Sequence, residues 1–185
     1  GSVPIKPYHG SISTTNIRGV TTTQLTGLTA AQVTGLSTTT FGTLSSTQLG
    51  GLSSTQLKGI STTNMAALST NQLSGLTSAA LGGLLTTQIA TLNTTAMANL
   101  TTGQLSGFTQ TQITALTTTQ LNALTTTNIT GLSTTQLRGL TATQLGGLNT
   151  TAIGALTSLQ LGSLTVTQVK GLETTDIAVL TSTQI

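Results

Sequence analysis

Ser133–Leu148 reads STTQLRGLTATQLGGL, two copies of one eight-residue phrase, and the phrase runs through nearly the whole chain. Its positions are labelled a to h, with a at Ser13, d at Asn16, e at Ile17, g at Gly19 and h at Val20. The register then holds without insertion or deletion to Leu180, so that 168 residues make 21 complete octads, and a partial octad covers Thr181–Ile185. Positions e and h are apolar in every octad, from Ile17 and Val20 through Phe41, Met65, Met97 and Phe108 to Ile185. Position a is Ser, Thr or Asn except at Leu85 and Glu173. Position d is Gln, Asn or Asp except at Thr40, Ala80, Ala96 and Ala152, and g is mostly Gly or Ala.

This period decides between backbones. A continuous α-helix turns about 100° per residue, so each octad displaces the apolar pair by roughly 80° and the stripe winds around the helix. Coiled coils repeat at about 7 or 11 residues, and eight fits neither. A strand through e and h also fails, because positions three apart point to opposite faces.

A helix restarted once per octad fits. Ser or Thr at a with Gln three residues later is the capping box, in which the hydroxyl takes the N3 amide and the Gln reaches back to the N-cap amide. The preceding h then sits before the cap and e sits at N4, the pair that forms a hydrophobic staple. Gly at g is expected to stop the helix by entering the left-handed conformation.

One octad buries too little apolar surface to offset the entropy of ordering it. Successive e and h residues must therefore stack into a shared core, which is a solenoid in which each repeat touches only its neighbours. The expected fold class is all-α: a superhelix of very short helices, two or three octads to the coil, with Thr, Ser and Gln outside. A β-solenoid of Thr-rich strands is the alternative.

Residues 1–12 stand outside the register and hold Pro4, Pro7, Tyr8 and His9. They read as an irregular head whose Gly1-Ser2 is a cloning remnant, followed by the repeat solenoid over 13–185. The stop at Ile185, midway through an octad and with no polar capping repeat, reads as an excision from a longer array.

Composition excludes several functions. Charged residues make up 4% of the chain and aromatics 2%, against about 25% charged in an ordinary domain. The net charge of +3 comes from scattered Lys6, Arg18, Lys58, Arg138 and Lys170 against Glu173 and Asp176. Nucleic-acid binding needs clustered cations or stacking aromatics, so no nucleic-acid partner is expected. Cysteine is absent, which removes disulfides and thiolate metal sites. No apolar run reaches the roughly 18 residues of a transmembrane helix, and the head lacks the apolar segment of a signal peptide.

Chemistry-bearing residues are few. His9, the one histidine, lies in the head without an orienting partner. Glu173 and Asp176 occupy a and d of one octad, which reads as an acidic capping box favoured at a helix N-terminus rather than a cation site. Met65 and Met97 take e positions and read as core, not as haem or copper ligands. Gly50-Gly51, Gly82-Gly83 and Gly146-Gly147 resemble pieces of phosphate loops but lack the following Lys-Thr. Arg18, Lys58, Arg138 and Lys170 all fall at f, a solvent-facing position. Asn93, Asn99, Asn128 and Asn149 begin N-glycosylation patterns, a chance product of a Thr-rich chain. No catalytic, cofactor-binding or metal site is assigned, and no enzyme activity or cofactor is expected.

Phrases such as LTTTQLNALTTTNITGL (116–132) and LTATQLGGL (140–148) resemble the LTTxQ-type octapeptide arrays of very large bacterial surface or secreted proteins, often labelled haem-utilisation or adhesion proteins. The resemblance covers Ser13–Ile185 and implies an extracellular or cell-surface bacterial protein whose repeats form a stalk or fibre. The haem label finds no axial His in any repeat. The leading expectation is a non-catalytic rod or spring of an adhesin or biofilm protein, whose partner is itself through repeat stacking, with end-to-end and lateral assembly both open. The alternative is a binding surface for ice or carbohydrate made of ranked Thr hydroxyls at b and c on strands. An idealised, engineered array sits poorly with irregular substitutions such as Leu85, Asn99 and Val179.

Overall fold

The computed structural model describes residues 13–185; the head with Pro4, Lys6, Pro7, Tyr8 and His9 lies outside the described residues. Every complete octad forms one helix of four to six residues, 21 in all, from α1 (Thr14–Arg18) through α4 (Thr38–Gly42) and α7 (Thr62–Ala66) to α21 (Thr174–Ala178). No strand occurs among the described residues, so the chain is not a β-solenoid.

Each helix starts as the sequence predicts. Position a is extended, as at Ser53 (φ −67, ψ 159), and its side chain accepts from the amide of d. In the capping-box octads the Gln Oε1 reaches back to the amide of a, at 2.9 Å for Gln56 and Ser53. Leu85, without a hydroxyl, keeps only the second half: its amide donates to Gln88 Oε1 at 2.8 Å.

The stop works differently from the expectation. No glycine among the described residues has a positive φ; Gly59 closes its helix at φ −77, ψ −11, still right-handed. The helix ends because the amide of h turns back to the carbonyl of e, as Ile60 does to Leu57 at 3.1 Å. The next a is then extended. Glycine at g answers to packing, described below.

Helix n packs on helix n + 3 along the array: α1 on α4, α4 on α7, and α15 (Thr126–Gly131) on α18 (Thr150–Gly154). Across the seam, side chains at f reach carbonyls 25 residues ahead, as Thr114 does to Gly139 at 2.6 Å. Side chains at d reach back 28 and 31 residues. One coil thus spans between three and four octads, more than the two or three expected.

The apolar core runs as one cluster through the array, from Ile17 to Leu156. Residues at e are sealed within it: Leu49, Met65, Ile89, Met97, Leu121 and Leu137 are each 0% exposed. Each such burial stabilises by about 1.5–3 kcal/mol.

Candidate functional site

The polar position d is the residue type whose placement departs most from expectation. Gln was expected outside with Thr and Ser; instead Gln56, Gln88, Gln112, Gln136 and Gln160 are all buried. The reason is at the other end of the amide. Gln112 Nε2 donates to Leu81 O at 2.9 Å and to Leu84 O at 2.8 Å, the e and h carbonyls of the octad four places earlier. Its Oε1 meanwhile accepts from the Thr109 amide at 2.8 Å. The pattern repeats at Gln56 on Leu25 and Leu28, Gln136 on Leu105 and Phe108, and Gln168 on Leu137 and Leu140.

Helices this short leave their last carbonyls without partners. Among the described residues the h carbonyl receives no backbone amide, and a Gln four octads later commonly supplies its donor, as at Leu28, Leu84 and Phe108. One primary amide therefore caps the start of its own helix and the end of another. Glutamate would satisfy the capping box equally well but has no N–H to give. That is the signal in the sequence that sequence reasoning passed over: d carries Gln in most octads, Glu in none and Asp once, at Asp176.

Asparagine keeps part of the linkage, whereas Ala80 and Asp176 give no donor to the earlier coil. Asn64, one methylene shorter, donates to Leu36 O at 2.9 Å and leaves its Oδ1 buried without a partner. Where a becomes Asn, d becomes Ala, and the Asn performs both jobs: Asn93 Oδ1 accepts from Ala96 N at 2.8 Å while its Nδ2 donates to Ala66 O at 2.9 Å. At Asn149 the link runs through Asn122, whose Oδ1 accepts the Asn149 amide at 2.7 Å and whose Nδ2 donates to Gly147 O at 2.9 Å.

Five of the six paired glycines, all but Gly83, face another coil across the seam. A Cβ on Gly50 would lie 2.5 Å from Gly75 O, one on Gly59 would lie 2.6 Å from Ala30 O, and one on Gly75 would run into the backbone of Ser46. Position g of one coil presses on b of the coil before, and glycine permits that approach.

The other candidate residues are dispersed. Met65 and Met97 lie in the core, each 0% exposed, at position e of octads on successive coils. Arg18, Lys58, Arg138 and Lys170 are exposed, and Arg138 Nε donates to Ser163 O at 3.0 Å across the seam. Asp176 is buried, accepting the Glu173 amide at 2.8 Å, so the acidic pair keeps half of the capping box. Of the four glycosylation-pattern asparagines, Asn128 is 1% exposed and donates to Leu100 O at 3.0 Å, Asn93 and Asn149 are engaged as described, and Asn99 bonds Thr95 O at 2.9 Å.

The outer face is shallow. One groove of about 400 Å³ is lined by Thr86, Gln110, Thr111, Thr114 and Ala115. Another of about 440 Å³ is lined by Ala142, Thr143, Gly146, Gly147, Gly171 and Glu173. Both are seams between coils three octads apart. Among the described residues no three His, Cys, Asp or Glu side chains converge, and no helix is long and apolar enough to cross a membrane. Comparison of the chain with protein-family models, with curated proteins and with solved structures finds no match in any of the three.

Proposed function

We propose that the chain is a non-catalytic structural segment, the rod, stalk or fibre of an extracellular or cell-surface bacterial adhesin or biofilm protein. The observation that carries this reading is the recurring coil-to-coil linkage, from Gln48 on Ile17 and Val20 to Gln184 on Gly154 and Leu156, which lapses at Ala80 and Asp176. An array linked this way lengthens by a constant increment with each octad. The bacterial surface setting rests on the resemblance of its octads to LTTxQ-type arrays. Small-angle scattering on arrays of increasing octad number tests the rod: the maximum dimension must grow linearly with octads. Growth as the cube root of chain length, the behaviour of a compact globule, refutes it.

A second reading has one observation in its favour. Thr15, Thr39, Thr63, Thr87, Thr111 and Thr135 all occupy c on one stack of helices, 24 residues apart, and all are exposed. The strands first expected for such a surface are absent from the described residues; a helical Thr row binding ice or a polysaccharide remains the form of this alternative. Thermal hysteresis or polysaccharide co-sedimentation that is lost on replacing these threonines by Val would favour it over the rod.

A further inference from the structure

We infer that the array carries a joint: the seam in front of the ninth octad, Thr77–Leu84, opens before the fully linked seams that follow it. A load on the chain then bends or lengthens it there first. The inference goes beyond the rod reading, which treats every octad alike. Octads 5, 6 and 9 all lie inside the array, so neither terminus enters the argument.

Three ties that bind an octad to the coil before it are missing at octad 9. The first is the amide at d. Ala80 has no side-chain donor, and Leu52 O, the h carbonyl of octad 5, accepts no hydrogen bond from the described residues. In octads 10, 12 and 13 the same position links two carbonyls each time. Gln88 takes Leu57 and Ile60, Gln104 takes Leu73 and Leu76, and Gln112 takes Leu81 and Leu84. The second tie is glycine at g. A Cβ on Gly83 would meet only Ala79 and Ala80 of its own helix, whereas Gly59, Gly75, Gly107 and Gly139 press on the b residue of the previous coil. The third is the side chain at f. Lys58, at the f that faces octad 9, is exposed and makes no bond to Gly83 O. Thr34 and Thr114, in the same position, bond Gly59 O and Gly139 O at 2.6 Å.

Burial records the result. Ala80 is half-buried, while the other two alanines at d, Ala96 and Ala152, are 1% and 4% exposed. The links just ahead of octad 9 are thinned as well. Asn64 reaches only Leu36 O and leaves its Oδ1 buried without a partner, and Gln72 reaches only Phe41 O.

On its other side octad 9 is gripped. Gln112 holds the carbonyls of Leu81 and Leu84, and Gly107 presses on the Ser78 backbone. Octad 9 therefore moves with octads 12 and 13, and cohesion is lowest between it and octads 5 and 6. Local opening starts where buried contacts are fewest. A helix as short as Ser78–Gly82 does not persist without stacking, so opening of this seam frays it.

Native-state hydrogen exchange resolved to single amides tests the joint. The Leu81 amide bonds Thr77 O at 3.0 Å, and those of Leu105, Ile113 and Leu121 bond the a carbonyls of their own octads at the same 3.0 Å. Their local bonds match, so a difference in rate reports the seam. Leu81 is expected to exchange at least about tenfold faster than the other three, a factor of the order that one buried hydrogen bond supplies. Ala80→Gln restores a donor to Leu49 and Leu52 and is expected to bring the Leu81 rate down to that of Leu105. Ala80→Glu keeps the capping acceptor but has no N–H to give, and is expected not to slow it. Wild-type rates alone decide where the joint lies, and the two variants decide its cause. Leu81 exchanging no faster than Leu105, Ile113 and Leu121, Ala80→Gln leaving its rate unchanged, or Gln and Glu slowing it alike each overturns the proposal. The rod reading stands or falls separately on the scattering series.

Discussion

Gln112→Glu isolates the linkage between coils, because it exchanges the amide NH2 for an oxygen and leaves the side chain's shape intact. Gln112 is 2% exposed, with its oxygen on the Thr109 amide and its nitrogen on Leu81 and Leu84 carbonyls. Glutamate retains the first bond and loses both donations. Leu81 O keeps the Leu84 amide at 3.2 Å, so only the Leu84 carbonyl is stranded, at about 1–3 kcal/mol. The buried carboxylate set against both carbonyls adds repulsion and its own desolvation cost. The expected destabilisation is about 3–6 kcal/mol at pH 7. With a urea m-value of about 2 kcal/mol/M, that lowers the unfolding midpoint by about 1.5–3 M. The pH dependence has a definite sign. Burial against carbonyl oxygens disfavours the charged form, raising the folded pKa of the new carboxyl above its unfolded value of about 4.3. The folded chain then binds the extra proton, so stability is highest below about pH 4.3 and is lost as pH rises through the folded pKa. Gln24→Glu supplies the control: the same chemistry at an exposed d whose amide makes no bond to another coil among the described residues, at a helix N-terminus that favours negative charge, should change stability by less than about 0.5 kcal/mol. Equal effects at the two sites, or a Gln112→Glu variant within that margin of wild type, would refute the reasoning.

Leu137→Asp places an unpaired charge at a 0% exposed position and should cost more than about 4 kcal/mol, while Thr134→Ala on the outer face stays within about 0.5 kcal/mol by chemical denaturation. Gly75→Ala collides with the Ser46 backbone, whereas Gly42→Ala meets nothing within 4 Å; melting should show the first destabilised and the second stabilised by about 0.4–1 kcal/mol. Asn93→Ser removes a link to the earlier coil and should cost about 1–2 kcal/mol. Adding Ala96→Gln rebuilds the standard arrangement and should recover most of that loss, a coupling visible in a double-mutant cycle.

The local grammar was legible because it is written within one octad. The Ser53–Gln56 capping pair, the break after h and the sealed e positions all follow from contacts three or four residues apart. The destination of Gln56 Nε2 was not legible, because Leu25 and Leu28 are 31 and 28 residues away and nothing inside the octad encodes that distance. Gly59 was misread for the same reason. Its neighbour is the Ala30 backbone of another coil, and a local rule assigned it a left-handed stop that its φ of −77 does not show.

Reach across coils also accounts for the absence of insertions and deletions over 168 residues. An insertion in an ordinary loop is absorbed at little cost. Here, most pairs of octads that straddle the insertion are linked by amide bonds at fixed separations, 28 and 31 residues at Gln136. One added residue moves each straddling Gln off both of its carbonyls, and four octads straddle any point in the middle of the array. The same residue displaces the glycine notches from the backbone they accommodate. A single insertion therefore strands several buried h carbonyls at once, at about 1–3 kcal/mol each, a total that rivals the stability of a whole domain. Neutrality follows from the same geometry. A donor aimed at two carbonyls and an acceptor aimed at an amide must sit on one uncharged group, and charge is left to exposed positions such as Lys58 and Arg138.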